Sequence, residues 1–558
     1  AKAAVKEEMM QLHMRDTFQP RHWKTLTPEE KERLLESHLF LKKKRCGKIK
    51  GRTVAGGNKQ RGYIDKSDAS SPTVSTQALL LTCVVEAHEG RDVMTIDIPN
   101  AFIQTRVDDP KNRVIVKIKG YLAELLLDIA PQVYGKYIYV DKKGIPVIIA
   151  ECWNAIYGTM IAGLLYYNKF CGTLARLGFK PNPYKACVHN RVINGKQQTV
   201  CFHVDDLKSS EQVETNDQLV HELRSEYEHI QEDGSGRMTV HRGKTHKYLG
   251  MTLDFHTTGV CKISMPKYTA EILSKAESAM DNCKGTKSSA APKMLFNVDD
   301  DSPKLNKKRS EIYHRLVAKI LWATKRARPD TATAISYLMT RVQDSNEDDW
   351  HKLTHLVKYI RATKDLDLTL GCSENNVLRW WIDGSHGVHP NMRGHTGGGL
   401  CMGIGYPISQ SGKQKLNTRS STESEIVAVD DMMPTVLWAR QFLAEQAHTV
   451  KDNLVYQDNQ AAILLEKNGR ASSSKRTKHI NTRYFFITDR MTKKELSVAW
   501  CPTEDMTGDF WTKPLQGASF RRMRDLVMGV VVQCLPRKSK TKKKKDEEKE
   551  IKPKVRPK

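Results

Sequence analysis

The spacing of hydrophobic positions along the chain predicts a succession of helices and strands. Residues 1–45 carry an amphipathic helical pattern, in which Thr27 followed by Pro28 marks a helix start, because Thr is a favoured N-cap and Pro a favoured first-turn residue. Two later stretches, 135–150 and 188–204, are rich in β-branched residues, and each is interrupted by a turn sequence, Asp-Lys-Lys-Gly and Asn-Gly respectively. This pattern predicts two β-hairpins.

The pattern changes again in the second half of the chain, which predicts several domains. Residues 276–310 are polar and typical of a linker, and a helical block follows at 313–363. After residue 376 the order is strand, hairpin, helix, strand, helix, strand, helix. We therefore predict a multidomain fold of α+β and α/β type, divided into a first unit at 1–275, a linker and helical connection at 276–375, a further α/β unit at 376–515, and a basic, disordered tail at 516–558.

Charge is the next feature that narrows the function. The 558 residues carry a formal net charge of +26, and the segment from Arg537 onward holds 12 basic and 4 acidic side chains, a net of +8, which leaves +18 on the rest of the chain. An excess of this size predicts a polyanionic partner, usually nucleic acid. The alternative is a generic solvated basic surface. The Lys-rich tail itself is a candidate nuclear-import or nucleic-acid patch, or simply a solvated end.

Cysteine usage and hydropathy bear on the compartment. The 12 cysteines form no CxxC pair, which predicts reduced thiols rather than a zinc module. No apolar run approaches the roughly 18 to 20 residues that span a bilayer. The N-terminus also lacks an apolar signal-peptide core. Together these features predict a cytosolic or nuclear protein without membrane contact.

Carboxylates at the ends of apolar strands form a first candidate site. Asp97 ends a strand-like run, and Asp205 and Asp206 directly follow another, Val-Cys-Phe-His-Val. Adjacent like charges repel unless a cation lies between them, and Mg²⁺ prefers such hard oxygen ligands. These residues therefore predict a two-metal site for phosphoryl transfer. The alternative is an ordinary turn, where Asp is common.

Four further acidic residues predict a second site of the same kind. Asp383 and Asp458 each follow a strand-like run, Glu425 lies at the start of an amphipathic helix, and Asp509 lies near the end of the α/β unit. Several alternatives remain open. Glu425 has a rival in Glu423, either Glu suits the first turn of a helix for electrostatic reasons, and the Asp458-Asn459 pair suits a helix cap.

Four segments, in order and at similar spacing, resemble the reverse transcriptase of copia-type retrotransposons. They are 50–55 (Lys-Gly-Arg-Thr-Val-Ala), 97–102 (Asp-Ile-Pro-Asn-Ala-Phe), 157–158 (Tyr-Gly) and 248–251 (Tyr-Leu-Gly-Met). The sequence departs from the family pattern twice. His203 stands where the family has Tyr before the two Asp residues, and the apolar Ile161 stands where it has Gln.

The rest of the body resembles the same family. Segments 420–425 (Ser-Ser-Thr-Glu-Ser-Glu), 458–463 (Asp-Asn-Gln-Ala-Ala-Ile) and 476–480 (Arg-Thr-Lys-His-Ile) are similar to its ribonuclease H, and the block 313–330 is similar to its connecting segment. Glu-Ile-x-Ala at 425–428 matches the family's helix, which favours Glu425 over Glu423. His479 is left outside the predicted catalytic set, because a histidine on a helix surface is more often neither ligand nor catalyst.

The resemblance implies a fold and a set of residue roles. The fold would be a right-hand polymerase with fingers, palm and thumb in 1–275, followed by the connection and a ribonuclease H-like domain. Phe102 would stack beneath the sugar and exclude a ribose 2′-hydroxyl, with core packing as its alternative. The implied nucleotide-binding residues are Lys50, Arg52, Ile98, Phe102, Tyr157 and Gly158. The implied metal ligands and catalytic residues are Asp97, Asp205, Asp206, Asp383, Glu425, Asp458 and Asp509.

The resemblance also implies an activity and partners. The chain would be an RNA-directed DNA polymerase with ribonuclease H, part of a retrotransposon Pol polyprotein, and would use Mg²⁺ or Mn²⁺. Its partners would be an RNA template, a DNA primer, the RNA–DNA hybrid and deoxynucleoside triphosphates, and it would oligomerise or associate with other Pol and Gag products, in cytoplasmic virus-like particles or in the nucleus. One alternative is a degenerate or domesticated nucleic-acid-binding protein without polymerase activity. Another is a protein that retains only the nuclease.

Overall fold

The computed structural model describes residues 1–43, 47, 49–230, 236–373, 376–472 and 478–532. The Lys-rich tail from Arg537 lies outside the described residues. Within them, none of the helices is long and apolar enough to cross a bilayer, and all the cysteines are free thiols, as predicted.

Helices and strands alternate through the described chain. The first part contains α1 (Lys2–Met14), β1 (Phe18–Arg21), α2 (Pro28–Arg33), β2 (Leu35–Lys43), β3 (Ile49–Ala55), α3 (Lys66–Ala69), α4 (Thr76–Glu89), β4 (Asp92–Asp97), β5 (Val114–Lys119), α5 (Tyr121–Ile129), α6 (Pro131–Tyr134), β6 (Tyr139–Val140), β7 (Pro146–Cys152), α7 (Ala162–Arg176), β8 (Lys180–Asn182), β9 (Lys185–Ile193), β10 (Lys196–His203), β11 (Asp206–Glu211) and α8 (Val213–Tyr227).

The middle contains β12 (Thr239–His241), β13 (Thr245–Tyr248), β14 (Met251–Asp254), β15 (Val260–Ser264), α9 (Pro266–Glu277), α10 (Lys307–Thr324), α11 (Ala332–Thr340), α12 (Glu347–Ala362) and β16 (Leu368–Cys372). The last part contains β17 (Val377–Ser385), β18 (His395–Cys401), β19 (Gly403–Ile404), β20 (Ile408–Lys413), α13 (Ser421–Ala444), β21 (Asp452–Gln457), α14 (Gln460–Asn468), α15 (Asn481–Thr492), β22 (Ser497–Trp500), α16 (Asp509–Thr512) and α17 (Gly517–Val527).

The first sheet has the strand order β1-β7-β5-β2-β3, with β6 beside β7. Helix α1 packs against it and buries Met9 and Leu12, as its amphipathic pattern predicted. The predicted helix start at Thr27 is confirmed, because the Thr27 hydroxyl accepts the Glu30 N–H at 3.1 Å and the Glu30 carboxylate accepts the Thr27 N–H at 2.8 Å. Much of 1–45 is nevertheless strand, since β2 gains its stability from pairing with β3 and β5 rather than from local periodicity.

The second sheet has the order β12-β4-β11-β10-β9-β8 and is backed by α4. Its strands β4 and β11 carry Asp97 and Asp206 of the first predicted site. The hairpin predicted at 188–204 is confirmed as β9 and β10. Its turn residues Asn194 and Gly195 have φ angles of 52° and 75°, the left-handed conformation that a type I′ turn requires at both positions.

The third sheet joins parts of the chain that the sequence analysis had separated. Its order is β13-β14-β15-β16-β19, so β15 before the predicted linker pairs with β16 after it. The expected linker at 276–310 is irregular but packed, with Leu295 fully buried and Phe296 nearly so. This shared sheet crosses two of the predicted domain boundaries. The division into domains stays a prediction.

One boundary prediction is wrong. Helix α17 falls inside the segment that we expected to be a disordered tail from residue 516. Its Phe520, Met523 and Val527 are buried, at the spacing of one face of an amphipathic helix. Basic residues on the opposite face disguised this apolar stripe.

The fourth sheet has the order β20-β18-β17-β21-β22, in which β17, β21 and β22 run parallel to one another and β18 and β20 continue antiparallel. Helix α13 covers it with buried Ile426, Val429, Met433 and Val436, the apolar positions that predicted the helix. The helix approaches β17 closely at Gly384, where a Cβ would lie 2.4 Å from the Ser424 carbonyl oxygen.

A buried ion pair lies between the second sheet and α4. The side chains of Lys208 and Glu86 are 0% and 1% exposed and are in contact, and the Lys208 ammonium also donates to the Thr82 hydroxyl at 3.2 Å. Burial alone would lower the pKa of Lys208, but the Glu86 carboxylate outweighs it and raises that pKa. Lys208 therefore keeps its charge in the folded protein, in contact with the Glu86 carboxylate.

We expect Lys208→Met to lower the free energy of unfolding by about 3–5 kcal/mol, because it leaves Glu86 as a buried, unpaired charge. Urea denaturation measures the change. The double variant Lys208→Met with Glu86→Leu is the control and should recover most of the loss. A single variant within about 1 kcal/mol of the wild type would contradict this account.

Candidate metal centres

The first centre lies where β4 ends beside the start of β11. The two strands pair antiparallel, with Asp97 directly opposite Asp206. The Ile98 N–H donates to the Asp205 carbonyl at 3.2 Å, and Val204 at the hairpin tip has a φ of 60°. The structure therefore brings Asp97 next to the two aspartates of the hairpin.

Electrostatics at this centre favour a bound cation. The pKa of Asp206 is raised to about 6, first by burial and then by the negative charges of Asp205 and Asp97. Carboxylates that repel one another in this way offer the hard oxygen atoms that divalent cations prefer. The donor set thus fits Mg²⁺ or Mn²⁺, although these three carboxylates are less tightly grouped than the set at the second centre.

Residues predicted to bind the nucleotide border the same edge. The ring of Phe102 lies 4.8 Å from that of Tyr157, centroid to centroid, and the Arg52 guanidinium lies 5.2 Å from the Tyr157 ring. Burial raises the pKa of Tyr157 to about 12, with a further contribution from Asp205. Lys50 lies on β3 with Arg52. Ile98 is buried in the core, so its backbone, not its side chain, reaches the hairpin.

Gly158 is needed because two backbone segments cross there. It has a φ of 91°, and a Cβ would lie 2.2 Å from the Ala55 carbonyl oxygen. The Ala55 N–H donates to the Tyr157 carbonyl at 2.8 Å, which fixes β3 against this segment. Any side chain at residue 158 would therefore push Arg52 and Tyr157 apart.

The departure at Ile161 has a structural counterpart that the sequence analysis missed. Ile161 is buried, and the polar group nearby is Gln60, whose side-chain oxygen accepts the Met160 N–H at 2.8 Å. No local pattern distinguishes Gln60 in the sequence, because its role depends on a contact between residues 100 positions apart.

The other departure, His203, lies on β10 beside the hairpin tip that carries Asp205 and Asp206. His203 is opposite Asp206 in the strand register. Burial lowers its pKa; the Asp205 charge opposes this and the Arg326 charge adds to it. The Tyr248 hydroxyl donates to the Cys201 carbonyl at 3.1 Å and to the Asp206 carbonyl at 3.2 Å, which ties the predicted 248–251 motif to the hairpin.

The second centre is a compact group of three carboxylates. One oxygen each of Asp383, Glu425 and Asp458 lies within 4.8 Å of the other two, and no other acid, His or Cys group of the described chain meets this test. Asp383 lies on β17, Glu425 in the first turns of α13 and Asp458 directly after β21. Because β17 and β21 run parallel, their carboxyl ends meet at one edge of the sheet.

Hydrogen bonds hold each carboxylate of this group in place. The Gly384 N–H donates to Glu425 at 3.0 Å, and the Thr503 hydroxyl donates to Asp458 at 3.1 Å. The Thr512 hydroxyl donates to Asp383. These contacts orient the oxygen atoms toward one another, which costs energy unless a cation is bound.

Asp509 lies at the margin of this group rather than within it. Its carboxylate accepts from the Lys513 ammonium at 2.6 Å. Its pKa is raised to about 7, first by burial and then by Asp383. The pKa of Glu425 is raised well above its ordinary value by burial, then by Asp383 and Asp458. The three carboxylates of the compact group fit divalent cations here as well. Asp509 is a further carboxylate beside them, paired with Lys513.

Glu423 and Asn459, the residues on which the alternatives for this site rest, have other contacts. Glu423 accepts the Arg419 N–H at 2.8 Å and contacts His479 at 3.0 Å, so it serves the helix start. Asn459 caps α14 by accepting the Ala462 N–H at 3.1 Å, which leaves Asp458 free for the carboxylate group.

No model of a known protein family matches the chain. The Pol polyprotein of transposon TNT 1-94 from Nicotiana tabacum is 23% identical over 535 residues, covering 94% of this chain and 37% of the relative. The Pol polyprotein of transposon RE2 from Arabidopsis thaliana is 24% identical, covering 85% and 30%, and the transposon Ty1-DR1 Gag-Pol polyprotein of Saccharomyces cerevisiae is 22% identical, covering 93% and 28%.

The chain is similar in sequence to the Pol polyproteins of copia- and Ty1-type retrotransposons. It spans about a third of the length of these relatives. Among solved structures, the native protease-reverse transcriptase of prototype foamy virus matches 90% of this chain and 74% of its own at 12% identity, with a TM-score of 0.28, too low to support a conclusion.

Proposed function

We propose that this protein is an RNA-directed DNA polymerase with a fused ribonuclease H, acting within a retrotransposon Pol polyprotein. The observation that carries the proposal is the presence of two separate carboxylate clusters, one at the end of β4 and the start of β11 and one at the carboxyl ends of β17 and β21. Every ligand position of both clusters is an acidic residue, which disfavours a degenerate protein.

At the first centre, Asp97, Asp205 and Asp206 would hold divalent cations. Such cations supply Lewis acidity and charge neutralisation for phosphoryl transfer. Arg52, exposed on β3 beside Tyr157, would bind the triphosphate, since its planar group offers paired donors to phosphate oxygens. Phe102 would lie under the incoming sugar and exclude a 2′-hydroxyl by its volume.

At the second centre, Asp383, Glu425, Asp458 and Asp509 would hold divalent cations that serve cleavage of the RNA strand of a hybrid. Lys513, in contact with Asp509, would release that carboxylate when a cation takes its place. Contacts to the 2′-hydroxyls in the wide minor groove would choose RNA over DNA.

The proposed partners follow from charge and from the relatives. The net charge of +26 suits an RNA template, a DNA primer and their hybrid. We expect the binding affinity to fall as the salt concentration rises. Deoxynucleoside triphosphates would be the second substrate. We place the protein with Gag and other Pol products in virus-like particles, with a nuclear stage at transposition.

Primer extension on an RNA template tests the proposal. We expect purified protein with Mg²⁺ or Mn²⁺ and all four deoxynucleoside triphosphates to extend an annealed DNA primer, and to cleave RNA in a labelled hybrid. Chelation by EDTA should stop both reactions. Folded protein that binds hybrid yet neither extends nor cleaves would support the nucleic-acid-binding alternative. Cleavage without extension would support a protein that retains only the nuclease.

A further inference from the structure

A polar cavity of about 300 Å³ lies where three parts of the chain meet. One wall is the start of α4 at Ser75, Thr76 and Gln77. A second wall is the end of α10, at 324–326. The third is the start of β20 in the fourth sheet, at 406–409. The cavity therefore lies between the helix that backs the first metal centre and the sheet that carries the second.

The lining of this cavity suits an anion. It contains Lys325 and Arg326 and no acidic residue among the described residues that line it. Within the described chain neither cation makes an ion pair, and the Nε atom of Arg326 is buried without a hydrogen-bond partner. The Ser75 hydroxyl caps α4 by accepting the Ala78 N–H at 3.3 Å, so the donors that α4 adds are the hydroxyl protons of Ser75 and Thr76 and the N–H groups that precede Ala78.

The surroundings of Arg326 point to a nucleic-acid strand rather than a small anion. Its guanidinium lies 3.2 Å from the ring centroid of Trp322, which is 46% exposed although it is a large aromatic side chain. An exposed aromatic ring beside cations is the usual arrangement for stacking bases while binding their phosphates.

We propose that this cavity binds backbone phosphates of the nucleic-acid strand that passes from the first metal centre toward the fourth sheet. Lys325 and Arg326 are the cationic contacts, and Trp322 is the stacking surface. The proposal rests on the proposed function, because it assumes a hybrid that occupies both centres. It adds a binding site that neither centre contains.

The salt dependence of hybrid binding tests this site. Fluorescence anisotropy with a labelled RNA–DNA hybrid gives the slope of log affinity against log salt concentration. We expect Lys325→Gln with Arg326→Gln to make the slope shallower by about two and the binding at least about tenfold weaker. The matched control is Lys307→Gln with Lys308→Gln, the same charge change at the other end of α10, about 25 Å away.

A second measurement identifies the strand and its position. Neutral methylphosphonate linkages are placed one at a time along each strand of the hybrid. We expect the wild type to lose affinity at one or two adjacent positions and the cavity variant to be insensitive at those positions. Trp322→Ala should weaken binding without changing the salt slope.

Several outcomes overturn the proposal. They are an unchanged slope in the cavity variant, an equal loss in the control, or the same methylphosphonate profile in variant and wild type. A change confined to the KM for deoxynucleoside triphosphates would instead assign the cavity to the triphosphate. Basic residues also stabilise helix C-termini, so thermal unfolding is measured beside binding. Equilibrium binding needs no catalysis, so a failure of primer extension with hybrid binding intact counts against the proposed function alone.

Discussion

An Asp205→Asn protein is expected to lose DNA synthesis by about a thousandfold or more while it cleaves the RNA of a hybrid at the wild-type rate. The carboxylate removed lies at the hairpin tip beside Asp97 and Asp206, and losing one charged ligand removes several kcal/mol of charge stabilisation from phosphoryl transfer. The second centre is built on a different sheet, so its chemistry should not change. Single-nucleotide incorporation and hybrid cleavage, measured on one preparation, check both halves.

A matched control for this variant lies on β4, the neighbouring strand that ends at Asp97. Asp92→Asn changes the same charge at the opposite end of β4, where Asp92 pairs with Arg242 at 2.7 Å. We expect it to keep DNA synthesis within a few-fold of the wild type, since an exposed pair contributes little to stability. Synthesis retained by Asp205→Asn, or cleavage lost together with synthesis in folded protein, would count against two independent centres.

Glu425→Gln is expected to abolish hybrid cleavage, again by about a thousandfold or more, while primer extension continues. Glu425 is buried in the compact group, and its pKa is raised first by that burial and then by the charges of Asp383 and Asp458. The matched variant is Glu423→Gln, two residues away, which removes a helix-start contact and should leave cleavage near the wild-type rate. An equal loss of hybrid cleavage in both Gln variants would contradict the assignment of Glu425 as a metal ligand.

Stability distinguishes a lost ligand from a misfolded protein in this variant. The pKa of Glu425 is higher in the folded than in the unfolded state, so its ionisation lowers the free energy of unfolding as pH rises above the unfolded value of about 4.3. Glutamine removes that cost. We therefore expect metal-free Glu425→Gln to unfold at a higher temperature than the wild type at pH 7 and at about the same temperature near pH 4, which thermal denaturation measures.

Local patterns were enough to predict several elements of the fold and to single out carboxylates that the structure brings together. The Asn194-Gly195 turn and the apolar stripe of α13 each depend on residues close together in the sequence. Both form as predicted. The proximity of Asp97 to Asp206 follows from strands that end at the same edge. These features depend on periodicity and turn chemistry, which act over a few residues.

Features that depend on distant contacts could not be predicted. The pairing of β15 with β16 joins residues more than 100 positions apart, and Gln60 meets Met160 across a similar separation. The displacement of Asp509 from the compact group depends on where α16 places Lys513. Periodicity carries no information about such long-range partners.

The sheet shared by β15 and β16 has a consequence for cleavage and truncation of the chain. A protease that cut the chain between these strands would leave one nicked body, because the strands stay hydrogen-bonded from Val260↔Gly371 to Ile263↔Leu368. Separate expression of the later half would expose the edge of β16, and unprotected strand edges promote aggregation. Truncations that keep 245–264 and 368–372 together should yield the more tractable protein.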